Sequence, residues 1–114
     1  MVNIDWLRGD DLADQIIDKE DLTQFERELD DEVSRQLVLS NVAKEDVPVD
    51  GDGYTTSLFL KDYIVQYGLY KMYIYYQSGP ADAYSTGAEK YYDAMLRAEK
   101  KLTNYTITGN DNSG

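Results

Sequence analysis

Three sets of side chains have types and spacings that suggest chemistry. The first is Asp46-Val47-Pro48-Val49-Asp50-Gly51-Asp52-Gly53, in which Asp46, Asp50 and Gly51 fall on positions one, five and six of a calcium-binding loop. Position three is then Pro48, without a side-chain oxygen, and position twelve is Ser57 where a bidentate glutamate is needed. Starting at Asp50 puts Lys61 at position twelve, so the segment reads as an acidic turn. The second set is the carboxylates Asp10, Asp14 and Asp18, four apart, with Glu28 and Glu32 repeating the spacing. Each set shares one side of a helix, the arrangement of an acid and base pair. No accompanying group would move two such carboxylates apart in pKa, and a solvated face is the simpler expectation. The third is Tyr63, Tyr67, Tyr70, Tyr73 and Tyr76. A base-stacking platform pairs its aromatics with a basic groove, whereas this stretch offers only Lys61 and Lys71, so helical packing within or between subunits accounts for the tyrosines better.

The elements that carry these residues can be read from the apolar spacing. Asp10 stands before Leu12, Ile16 and Ile17 and predicts a short capped helix over about residues 11–18. Leu22, Phe25, Leu29, Val33 and Leu37 form one stripe of an amphipathic helix ending near Asn41, with Arg27, Asp31 and Arg35 expected to pair on its outer face. Pro48, Gly51 and Gly53 mark the following loop. Thr55, Thr56 and Ser57 then offer a cap for a helix from about Ser57 to Gln77 that is apolar nearly all round, and a domain this small is expected to leave part of it for another chain. Ser78-Gly79-Pro80 stops it. The pattern Thr86-x-x-Glu89 predicts a capping box for a further helix, with Ala88, Tyr91, Tyr92, Met95, Ala98 and Leu102 as its buried stripe and Lys100 and Lys101 at its negative end. Tyr105, Thr106, Ile107 and Thr108 alternate weakly and lead into a polar end. The expected fold class is therefore all-α: three main helices and a short N-terminal one in residues 1–104, with residues 105–114 an extended tail that the fold does not need.

Composition excludes much. The 114 residues hold no cysteine and no histidine, which removes disulfides, imidazole or thiolate metal sites and imidazole-dependent triads. No cofactor is expected. No apolar run approaches a membrane span, and Met1 to Trp6 lacks the form of a secretory signal. The first 53 residues carry 16 acids against 5 bases and so hold the entire net charge of −11, while the remainder is neutral and holds all eleven tyrosines. Such an acidic surface repels phosphate backbones, which argues against tight nucleic-acid binding.

The order acidic helix, loop, apolar helix, Gly-Pro turn, amphipathic helix and polar tail resembles the small helical head-tail connector (adaptor) proteins of tailed bacteriophages. The residues that carry the likeness are the helix Leu22 to Leu39, the run Tyr63-Ile64-Val65-Gln66-Tyr67-Gly68-Leu69-Tyr70, and Ala88-Glu89-Lys90-Tyr91-Tyr92-Asp93-Ala94-Met95-Leu96 leading to Leu102 and Thr106-Ile107-Thr108-Gly109. The resemblance covers about residues 10–109. It implies a non-enzymatic virion protein at the neck, made in the host cytoplasm: a homo-oligomeric ring beneath the portal protein, in contact with a downstream neck or tail protein, through which the genome passes without specific binding. On that basis Tyr63, Tyr67, Tyr70, Tyr73 and Tyr76 are candidates for the subunit interface, Tyr105 to Thr108 for a docking strand, and Asp10, Asp14, Asp18, Glu28 and Glu32 for an acidic channel side. The rival readings are an acidic DNA mimic, against which the confinement of charge to one half counts, and a helical protein-interaction domain.

Overall fold

Asp10 sets the first helix. Its Oδ1 accepts the Ala13 backbone N–H at 3.0 Å, satisfying one of the unpaired donors at the start of α1 (Asp11–Lys19). A 3₁₀ turn, Ile4–Gly9, precedes it and buries Leu7. In the computed structural model, which describes residues 1–76 and 81–109 and leaves the side chains of 81–86 aside, α1 is followed by α2 (Thr23–Leu39), α3 (Leu58–Tyr75), α4 (Ala81–Lys100) and the single turn α5 (Asn104–Thr108). Among the described residues the only extended pairing is the isolated bridge of Val49 with Thr55. The all-α bundle expected from the sequence is the fold of the chain.

The α2 stripe is buried as its spacing requires: Leu22, Phe25, Leu29, Val33 and Leu37 all lie in the core. This helix ends in a Schellman motif. The Val42 N–H reaches the Leu37 carbonyl at 2.9 Å and the Asn41 N–H the Val38 carbonyl at 3.1 Å, while Asn41 takes φ 56° and Val42 packs into the core. Ser57 caps α3 through the Leu60 N–H, and α3 lies against α2, α4 and α5. Contacts of Phe25 with Tyr75 and Tyr76, and of Gln36 with Tyr63, make α2 and α3 antiparallel. Those of Tyr70 with Tyr92 and of Tyr73 with Tyr91 bring the second half of α3 to the middle of α4. Gly87 lets α4 close on α3, since a β-carbon there would run into the Tyr73 ring.

Four expectations need correction. First, α4 is already helical from Ala81, so Thr86 and Glu89 lie inside it; the capping box is made instead by Thr103 and Thr106, whose hydroxyls each bond the other's backbone N–H. Second, residues 105–108 are a helical turn and not an extended strand. Ile107 is 0% exposed, and Asn104 Nδ2 donates to the Asn41 carbonyl at 2.9 Å, so this turn seals one end of the bundle. A lone apolar side chain with a vacant corner to fill outweighs weak alternation. Residues 110–114 of the expected tail lie outside the described residues.

Third, Arg27 and Arg35 do not pair with Asp31. Arg35 turns back to Glu32, and Arg27 Nη1 donates to Gln24 Oε1 at 3.3 Å. Glu32 is 8% exposed, and a carboxylate so far out of water needs its cation more than exposed Asp31 does. Fourth, Tyr92, expected in the α4 stripe, is exposed, while Met95, Ala98 and Leu102 are buried.

Candidate functional site

The candidate carboxylates are tied into the fold. Asp10 Oδ2 accepts the hydroxyls of both Tyr73, at 2.9 Å, and Tyr91, at 2.7 Å, while its other oxygen caps α1. Asp14 and Asp18 share the Arg8 guanidinium, at 2.7 and 3.0 Å, and Asp5 joins them at 2.8 Å through Nε. Asp5, then Asp14 and Asp18, hold the Arg8 pKa above its ordinary value. Glu32 is clasped by Arg35 Nε at 2.6 and 3.1 Å. Glu28 lines a shallow groove between α2 and α3 with Asp31, Glu32, Arg35, Tyr67 and Tyr75. The five candidate carboxylates thus fall into separate places: the α1–α3–α4 junction, the Arg8 cluster and this groove.

The tyrosines divide as well. Tyr63 is 1% exposed and belongs to the monomer core, where its hydroxyl accepts from Gln36 Nε2 at 3.1 Å; the same amide group donates to Glu99 at 2.9 Å. Burial, then the nearby Glu32 charge, pushes the Tyr63 pKa well up. Tyr67, Tyr70 and Tyr76 are half-buried against the core, and Tyr73 is half-buried as well. Tyr67 is pushed up to about 12, chiefly by burial and next by Glu32. Tyr75, outside the candidate set, is 49% exposed and sits at the rim of the α2–α3 groove, with Lys71 Nζ 5.4 Å from its ring and 5.6 Å from that of Tyr67. Tyr70 lines a second, more apolar groove with Ile74, Ala88, Glu89 and Tyr92.

Of the docking candidates, Ile107 is interior, Thr106 is used by the capping box, Thr108 Oγ1 donates to the Asn104 carbonyl at 2.7 Å, and Tyr105 faces outward. In the acidic loop, Asp50 Oδ1 accepts the N–H groups of Asp52 and Tyr54, and Gly53 takes φ 85°, so this carboxylate organises a turn. No group of three or more potential metal ligands occurs among the described residues. No helix there is long and apolar enough to cross a membrane.

Sequence reading missed two features. Arg8 was not singled out, because its partners Asp14 and Asp18 come to it only through the bend at Gly9 and Asp10. A basic groove lined by Asp62, Gln66, Ala94, Arg97, Ala98, Lys100 and Lys101 also went unread. Its signal in the sequence was the run of bases at the end of α4, which read only as dipole compensation. Comparison with family models, with curated proteins and with solved structures finds no match.

Proposed function

We propose that this chain is a head-tail connector of a tailed bacteriophage, a structural virion protein that assembles as a ring beneath the portal and continues the DNA channel toward the tail. The observation that carries this reading is α3, an aromatic helix that its own chain leaves partly uncovered, with Leu58, Ile74 and Tyr75 exposed along it. Exposed aromatic and aliphatic side chains on such a helix suit packing among subunits, where tyrosine brings wide apolar area and tolerates a wet rim. The order of helices and the runs in α2, α3 and α4 that resemble connector proteins supply the rest. The net charge of −11 gives DNA a surface to pass without adhering. Pairing of Asp5, Asp14 and Asp18 with Arg8 removes three carboxylates from any phosphate-like array and weighs against a DNA mimic.

The test is the native mass of the purified chain, alone and with a portal protein from the same phage, over a range of concentrations. A closed oligomer, or a complex of fixed ratio with the portal, is expected. A monomer that ignores the portal at every concentration overturns the proposal.

A further inference from the structure

Two grooves flank α3 and carry opposite charge. The one between α2 and α3 is lined by three carboxylates, Glu28, Asp31 and Glu32, against the single guanidinium of Arg35, with Lys71 at its aromatic edge. That between α3 and α4 is lined by Arg97, Lys100 and Lys101 against the single carboxylate of Asp62. Among the described residues, none of the ion pairs uses Glu28, Asp31, Arg97, Lys100 or Lys101. The α3 residues of the two grooves are Tyr67 and Tyr75 in one and Asp62 and Gln66 in the other, and the mean directions of these two pairs lie roughly 160° apart around the helix at about 100° per residue.

We infer that the acidic groove of one copy receives the basic α4 edge of the next, so that the contact between copies is head-to-tail and self-propagating. Electrostatics selects this pairing over a two-fold one. A two-fold dimer through either groove would set it against itself, acid on acid or base on base, whereas the head-to-tail arrangement sets unlike charges together at every contact. The Tyr67 and Tyr75 rings supply apolar area on one side, and Ala94, small and half-exposed, leaves room for a ring on the other. Because the two faces lie on opposite sides of α3, each copy engages two neighbours, and the series of copies closes into a ring when the rotation between neighbours divides a full turn without a rise. The inference rests on reading the chain as a ring component and specifies which surfaces build that ring.

The experiment is a charge swap, read by sedimentation on whichever state assembles, the chain alone or the chain with its portal. One variant carries Glu28→Lys and Asp31→Lys; the other carries Lys100→Glu and Lys101→Glu. Helix content by circular dichroism reports that each still folds. Wild-type assembly is expected to weaken as salt rises, because screening shortens to about 8 Å at physiological ionic strength and less beyond. Each variant alone is expected to associate at least tenfold more weakly. An equimolar mixture is expected to recover assembly with the two alternating, since both kinds of contact then again join unlike charges. Wild-type assembly that neither variant changes, or variants that weaken assembly without recovery on mixing, overturns the groove pairing and leaves the connector reading standing. A wild type that is monomeric both alone and with portal overturns both.

Discussion

Tyr91 donates its hydroxyl hydrogen to Asp10 Oδ2 at 2.7 Å, joining α4 to the residue that caps α1 across 81 positions of the chain. Tyr73 of α3 donates to the same oxygen at 2.9 Å, so one carboxylate ties three helices together. In the sequence Asp10 reads as a helix cap and as one acid of a solvated row. The fold makes it a junction, and an alanine there loses a helix cap and the hydrogen bonds that Asp10 accepts from Tyr73 and Tyr91.

Asp10→Ala is therefore expected to cost about 3 kcal/mol, from a cap worth about 1 and two half-buried hydrogen bonds worth about 1 each. Asp10→Asn keeps the capping oxygen and should cost less than half as much. Urea denaturation of the two variants checks the order; an Asp10→Ala midpoint equal to that of wild type contradicts it.

The α2 terminus gives a second prediction. Asn41 holds φ 56°, a conformation that costs a residue with a β-carbon roughly 1–2 kcal/mol unless its side chain assists locally. Asn41→Val should lower stability by about that amount, whereas Asn41→Gly should be neutral or slightly stabilising. Thermal melts of both variants decide the matter.

The seal formed by α5 gives the third. Ile107→Ala empties a fully buried position and should cost about 2–4 kcal/mol. A chain ending at Leu102 loses Ile107 together with the Asn104 contact to Asn41, and should melt well below the full chain. An unchanged melting temperature for the truncated chain would show that α5 does not seal the bundle.

A fourth concerns alkaline pH. Tyr67 is raised from 10.0 to about 12, and burial also raises Tyr63 and Tyr91, the latter helped by its bond to Asp10. These groups hold their protons more tightly folded than unfolded. Their contribution is fully present below pH 10, and it is lost as the pH climbs from there through about 12, because the unfolded chain releases those protons first. Denaturant midpoints should thus be flat from neutral pH to about 10 and fall above it. Tyr67→Phe should fall less steeply, and tyrosinate absorbance followed against pH should show a late-titrating fraction.

Much of the bundle was legible in the chain. The α2 stripe from Leu22 to Leu37 and the caps at Asp10 and Ser57 depend on spacing and on local donors, both of which lie within a few residues. The start of α4 was not legible, because Thr86 and Glu89 mimic a cap that the helix, already under way at Ala81, does not use. The candidate site was less legible still. Nothing in the spacing of Asp14 and Asp18 announces Arg8, and nothing in the periodic tyrosines of α3 distinguishes Tyr63, sealed in the core, from Tyr75, half in water. On a helix apolar nearly all round, the exposed strip is whatever its neighbours fail to cover.

By itself the sequence determined an all-α chain with its acid in one half and its aromatics in the other, since helical period, capping chemistry and charge are properties of neighbouring residues. Tertiary structure alone decided that Asp10 meets Tyr73 and Tyr91, that Ile107 closes the core, and that acidic and basic grooves lie on opposite sides of α3. Those relationships join residues tens of positions apart. They are fixed by which surfaces must leave water together, a condition that only the packed chain can satisfy.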